Sequence, residues 1–213
     1  MVTTWDNIAW IFEPDGSLRD IYVQDISIDE WHKLIDFLNS NYKLRYGITG
    51  DCRDSNQIDK DYIIEYLTDN TGELECKSVT IYIEGVNINC HFFLPDQIEF
   101  DIDPKEIKSI DDYKKVEGFM ISVSKTLRNQ VILTGENEIK LPLIKIDINK
   151  GINKALTKQE MKAFFEKTNS LKNQIGIAQT LLLRKLFPRK FKAKILKSAI
   201  KPYKSTSKNN NVW

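Results

Sequence analysis

Short apolar runs separated by turn residues open the chain. Residues 8–13 and 18–24 are strand-like runs, and Pro14-Asp15-Gly16 between them is a strong turn signal. Residues 42–48 form another strand-like run after a stretch with helical periodicity. The pattern therefore predicts two strands, a helix and a returning strand within the first 50 residues.

The helix in this region has a clear start and one apolar face. Ser27 followed by Glu30 is a capping box, and Ile26 and Trp31 are placed for a hydrophobic staple. Apolar residues then recur at helical spacing: Trp31, Leu34, Ile35 and Leu38. This spacing predicts a helix that packs on one face of a sheet.

A second set of elements is predicted between residues 78 and 150. Apolar residues alternate on both sides of Gly85 and predict a hairpin: Val79, Ile81, Ile83, Val86, Ile88 and Cys90. A helix capped by Ser109 is predicted to bury Tyr113, Val116, Met120, Val123 and Leu127. Residues 130–134 and 142–148 predict two closing strands.

Three sequence blocks occur twice in the same order. They are Phe12-Glu13-Pro14-Asp15 and Phe93-Leu94-Pro95-Asp96, then the helices from Ser27 and from Ser109, then Ile48-Thr49-Gly50-Asp51 and Leu133-Thr134-Gly135-Glu136. Such self-similarity predicts a duplicated unit. The expected fold is α+β, with two duplicated β-β-α-β units that form ferredoxin-like or similar antiparallel sheets with helices on one face.

The predicted units have the following boundaries. Residues 1–50 form the first unit, residues 51–77 an acidic linker or surface excursion, and residues 78–150 the second unit. Residues 151–213 form a basic, helical C-terminal extension with a frayed end.

The extension begins with a second capping box. Thr157 and Glu160 have the required spacing and precede apolar residues at helical intervals. Further helices are predicted near residues 170–186 and 189–200, on either side of Pro188.

Charge divides the chain into two opposed blocks. The net charge is +1, but residues 172–213 hold eleven Lys and Arg residues and no acidic residue. Residues 1–171 therefore hold 20 basic and 30 acidic residues, a net charge of −10. The N-terminus has no secretory-signal pattern, and Cys52, Cys76 and Cys90 show no disulfide or zinc spacing. We expect a soluble, cytoplasmic protein with reduced thiols.

Two groups of residues invite an enzymatic or metal-binding interpretation. One is an acidic cluster: Asp51, Asp54, Asp59, Asp61 and Glu65. As a calcium loop beginning at Asp54 it has Ile58 at a ligand position and Asp59 in place of the required glycine, so a solvated acidic loop is favoured. The other is a Cys52/His91 pair, which lacks an orienting partner and an oxyanion-hole motif. No catalytic residue, cofactor or metal site is therefore predicted.

Two charged surfaces are candidates for binding. An acidic rim lies where the second unit's strand leads into its helix: Asp101, Asp103, Glu106, Asp111 and Asp112. For the last two, placement in the first turn of a helix is already a sufficient structural explanation. The basic extension would contact nucleic-acid phosphates, lie on an anionic membrane, pack on the acidic part of its own chain, or stay solvated.

Two stretches carry a resemblance to a known class of proteins. They are Trp10 to Val23 with the Trp31 helix, and Phe119-Met120 with Val131 to Asn137. These stretches resemble small bacterial immunity proteins of polymorphic-toxin, contact-dependent and type VI systems, which are encoded beside secreted toxins. The resemblance covers roughly residues 7–150, and residues 151–213 depart from it.

The resemblance implies an antitoxin that needs no active site. Such a protein would bind a cognate protein toxin and occlude or distort it, with acidic residues speeding association. The candidate contact residues are those of the acidic rim and those of the acidic cluster from Asp51 to Asp61. The alternative is a nucleic-acid-associated binding module that uses the basic extension.

Overall fold

The computed structural model describes residues 3–47 and 55–170, with side chains up to Phe164. The chain divides into two compact units, Met1–Phe164 and Phe165–Trp213, and the sheet belongs to the first. The helices predicted near residues 170–186 and 189–200 and the frayed end lie outside the described residues. Asp51, Cys52 and Asp54 do so as well.

The described residues form an α+β fold, as predicted. The helices are α1 (Trp5–Ile8), α2 (Ile28–Asn41), α3 (Lys60–Thr68), α4 (Ile110–Leu127) and α5 (Lys158–Ser170), with 3₁₀ turns at Ala9–Phe12 and Pro104–Glu106. The strands are β1 (Arg19–Gln24), β2 (Lys43–Gly47), β3 (Ser78–Ile83), β4 (Val86–Leu94), β5 (Gln97–Ile102), β6 (Val131–Gly135), β7 (Ile144–Asp147) and β8 (Ile152–Ala155). None of the helices in the described ranges is long and apolar enough to cross a bilayer.

One antiparallel sheet contains all of these strands. Their order is β2-β3-β4-β5-β1-β6-β7-β8, so β1, the first strand in the chain, lies between β5 and β6. Residues Arg19 to Val23 are all buried, as expected for a central strand that is covered on both sides.

Helices α2 and α4 contact each other and cover what we call the first face of the sheet. The Trp31 ring of α2 lies 5.5 Å from that of Phe92 on β4, and the Phe119 ring of α4 lies 5.2 Å from that of Phe100 on β5. Ring pairs at these distances and tilts are favourable beyond the area they bury. The core is therefore centred between these two helices and strands β4 and β5.

The predicted helix starts are confirmed. Glu30 Oε2 accepts a hydrogen bond from the Ser27 amide at 2.8 Å, and the Ser109 hydroxyl accepts one from the Asp112 amide at 3.2 Å. Thr157 Oγ1 likewise accepts from the Glu160 amide at 3.1 Å. Caps are local signals, which explains why the sequence predicts them well.

The strand predicted at residues 8–13 is wrong, because α1 ends at Ile8 and a 3₁₀ turn follows. Its buried residues, Ile8, Ile11 and Phe12, have helical rather than alternating spacing. The buried side chain of Arg19 fixes the segment, since it donates to the carbonyl oxygens of Ile11 and, at 2.9 Å, Glu13.

The duplicated β-β-α-β unit and the ferredoxin-like arrangement are not confirmed. The order strand, helix, strand does occur twice, as β1-α2-β2 and β5-α4-β6. The preceding strand is missing from the first copy, however, and β2 forms one edge of the sheet whereas β6 lies inside it. The region predicted as a linker also contains α3, which Asp59 caps and which buries Ile63 and Leu67.

Candidate functional site

Two hydrogen-bonded groups of polar residues, with Glu99 beside them, lie on the second face of the sheet, opposite α2 and α4. We call this set the sheet-face cluster, and its members are Asp20, Tyr22, Asn89, His91, Glu99 and Asp101. They come from β1, β4 and β5, at alternating positions whose neighbours in sequence point toward the helices.

Strand register brings these residues together. Asp101 of β5 lies opposite Asp20 of β1 on one side and opposite Asn89 of β4 on the other. Glu99 similarly lies between Tyr22 and His91. Directly opposed residues in antiparallel strands have Cβ atoms about 5 Å apart, so these side chains share one small area.

His91 and Asp101 form the closest pair in the cluster. The ring Nε2 of His91 lies 2.5 Å from Asp101 Oδ2, and Asn89 Nδ2 donates to Asp101 Oδ1 at 2.8 Å. Asn89 is in turn fixed by Thr80, whose hydroxyl donates to Asn89 Oδ1 at 3.0 Å. The ring of Phe93 stacks on the His91 ring at 4.9 Å. The imidazole is therefore held on its edge and on one face.

Asp20 forms the second centre of the cluster. Its Oδ2 accepts hydrogen bonds from the Tyr22 hydroxyl at 2.9 Å and from the Asn137 amide at 2.6 Å. Asn137 belongs to the connection between β6 and β7, so this connection lies over the adjoining end of β1. Asp20 and Tyr22 are each only 4% exposed.

Carboxylates outnumber cations in the cluster, and the pKa shifts reflect this. Burial, followed by the charge of Asp20, raises the pKa of Glu99. Burial also raises the pKa of Asp20, against the opposing effect of the Asn137 amide. For His91 burial favours the neutral ring, but the hydrogen bond and charge of Asp101 outweigh it and raise the pKa. Ionising Asp20 and Glu99 is therefore less favourable in the folded protein than in water.

Exposure increases from β1 toward β4. Asp20, Tyr22 and Asp101 are buried, whereas the His91 side chain is 24% exposed and Phe93 is 53% exposed. Glu99 is half-buried between them. A binding partner would therefore contact Phe93, His91 and Glu99 before it reached the buried carboxylates of Asp20 and Asp101.

The metal and nucleophile interpretations are tested only in part, because Asp51, Cys52 and Asp54 lie outside the described residues. Within the described ranges, no three His, Cys, Asp or Glu side chains are arranged to hold a metal ion. Ile58, in the predicted calcium loop, is buried, and its backbone is bonded on both sides by the Asn39 amide. Cys90 points to the first face, where complete burial raises its thiol pKa well above the usual value.

The structure places the members of the predicted acidic rim in different surroundings. Asp101 is 7% exposed and belongs to the sheet-face cluster. Asp103 caps the 3₁₀ turn at Pro104–Glu106, and Glu106 accepts two hydrogen bonds from Asn87. Asp112 accepts from Ser109 and contacts Lys115 at 3.1 Å, which leaves Asp111 as the fully exposed member.

The structure describes only part of the acidic cluster that the sequence predicts before β3. Asp59 caps α3 and Asp61 lies exposed in its first turn, while Asp51 and Asp54 lie outside the described residues. Four members of the sheet-face cluster were not singled out by the sequence: Asp20, Tyr22, Asn89 and Glu99. Their signal was a polar residue at alternate positions of strands whose other positions are strongly apolar.

Comparison with known proteins adds no assignment to this geometry. No protein-family model matches the chain, and no curated protein and no solved structure is significantly similar to it. The roles of the residues must therefore be argued from their chemistry.

Proposed function

We propose that the protein is a cytoplasmic immunity protein that binds a cognate toxin and neutralises it by occlusion or distortion. The observation that supports this proposal is the sheet-face cluster, in which Asp20, Glu99 and Asp101 surround a single imidazole. Raised pKa values at Asp20 and Glu99 mean that their charges destabilise the folded chain. A binding partner that brings a cationic group to this face would relieve that repulsion.

The charge of the chain supports the same proposal on a larger scale. Residues 1–171 have a net charge of −10, which creates a field that attracts a basic protein surface. Opposite fields raise association rates by about 10- to 1000-fold and lose this effect as salt is added. Fast capture suits an antitoxin, since a free toxin acts on the cell that makes it.

Co-expression with the product of the adjacent gene tests the proposal. We expect that product to stop growth when expressed alone, and this protein to restore growth and to co-purify with it. The association rate constant should fall by at least tenfold between 50 mM and 500 mM NaCl. A toxic neighbour that is neither rescued nor bound would refute the immunity function.

Nucleic-acid binding is the second candidate, because residues 172–213 hold eleven basic residues and no acidic one. A chain that ends at residue 186 should then lose salt-sensitive binding to duplex DNA or RNA in a filter-binding assay. If the shortened chain bound DNA or RNA as well as the full-length chain does, nucleic-acid binding by the extension would be excluded.

A further inference from the structure

The part of the second face formed by β2 to β5 exposes apolar side chains. Three of the five exposed large apolar residues in the described part of the chain lie on β3 and β4: Tyr82, Phe93 and Leu94. Phe93 and Asn87, which pairs with Tyr82, lie about 20 Å apart at the usual strand rise. This span suits a standard protein interface of about 800 Å² per partner.

Between these apolar ends the surface is polar and already ordered, with the His91–Asp101 pair on its β5 side. Thr80, Asn87 and Asn89 occupy it, and each makes a side-chain hydrogen bond within the protein. Polar side chains that are fixed before binding lose little entropy when a partner arrives. Aromatic and amide-bearing residues of this kind are common in protein-binding surfaces.

The charges on this face have a direction. Lys43 and Arg45 of β2 share the face with Tyr82 and Thr80, whereas Glu99 lies on the β5 side. A partner seated across β3 and β4 would therefore present positive groups toward β5. Its neutral or negative groups would lie toward β2.

We infer that this surface is the docking site for the toxin, and that the toxin presents a Lys or Arg side chain to Glu99 and apolar side chains to Phe93 and Leu94. The inference rests on the proposed function and names its contact surface. It also replaces the exposed acids near α3 and α4, which the sequence favoured, with residues of β4 and β5. A few residues near the centre of an interface, aromatic side chains prominent among them, usually carry most of its binding energy.

Two pairs of matched substitutions test the surface. Phe93→Ser and Glu99→Gln alter it. As controls, Ile148→Ser removes another exposed apolar side chain and Glu73→Gln removes another exposed charge. The probe is the purified product of the adjacent gene, with affinity measured by calorimetry for each full-length variant. Thermal unfolding of the free variants checks that each still folds.

We expect Phe93→Ser and Glu99→Gln to weaken binding at least tenfold, with both control variants within twofold of the wild type. If the affected variants are instead the controls, or if Phe93→Ser and Glu99→Gln bind like the wild type, the surface is wrong and the immunity function stands. If the wild-type chain neither binds nor rescues, the proposed function fails and the surface inference fails with it.

Discussion

Replacing Glu99 with glutamine removes one negative charge from the sheet-face cluster and preserves the shape of the side chain. The folded chain holds the Glu99 carboxylate beside Asp20 and Asp101, with only His91 as an opposite charge. Burial and the two like charges raise the pKa of Glu99, so its ionisation is less favourable in the folded than in the unfolded state. We therefore expect Glu99→Gln to stabilise the protein at neutral pH.

The size of the gain follows from the surroundings of Glu99. Half-exposed charge pairs contribute about 0.2–1 kcal/mol each, and two repulsions here are partly offset by one attraction, so the charge pairs alone should give a net gain of about 0.5 kcal/mol. Removing a partly buried charge adds to this gain. For a chain of this length the gain from the charge pairs corresponds to about 1–2 °C in melting temperature. The effect should shrink in 0.5 M NaCl, because salt screens charges at this exposure.

The pH dependence supplies the decisive measurement. The penalty from Glu99 is fully present above its raised folded-state pKa and disappears below the ordinary value of 4.5, where both states are protonated. Urea unfolding of the wild type and Glu99→Gln at pH 7.5 and pH 4 should therefore show a gain only at pH 7.5. A variant less stable than the wild type at pH 7.5, or equally stabilised at both pH values, would refute the reasoning.

Three further outcomes are expected. Arg19→Met should lower the free energy of unfolding by about 3 kcal/mol in urea titrations, because buried carbonyl oxygens, including that of Ile11, lose their hydrogen-bond donor. Arg19→Lys should restore less than half of this loss. Asp101→Asn should lower the pKa of His91 in an NMR titration, and the stability that their pairing adds below pH 6.5 should be lost as pH rises through the raised pKa; an unchanged midpoint would contradict the pairing. Iodoacetamide should label exposed Cys76 in the native protein and leave buried Cys90 unlabelled until urea is added, as read by peptide mass mapping.

Local signals in the sequence predicted most of the secondary structure. The caps at Ser27, Ser109 and Thr157 act within four residues, and the hairpin at Gly85 is set by alternation on its two sides. Residues 8–13 are apolar enough to suggest a strand, but Ile8 and Ile11 have helical spacing, and the structure follows that spacing. The helix α3 was missed because only two of its residues are buried.

The sheet-face cluster could not be predicted from the sequence. Asp20 and Asp101 are 81 positions apart, and only the pairing of β1 with β5 makes them neighbours. A carboxylate in an isolated strand gives no sign of whether it faces water, a cap or another carboxylate. Asp103 and Asp112 show the converse. Their acidity suggests a binding surface, but their carboxylates accept hydrogen bonds from the backbone amides of Lys105 and Lys108.

The central place of β1 also sets an order of events during synthesis. Strands β3, β4 and β5 form a local meander, but Arg19 pairs with Gly135, 116 positions later. Strand pairings between residues this far apart in sequence form slowly, and they cannot form until the second strand has been synthesised. Until β6 has left the ribosome, the apolar side chains of Ile21 and Val23 lack one flanking strand. The nascent protein therefore remains prone to aggregation at β1 until β6 has been made.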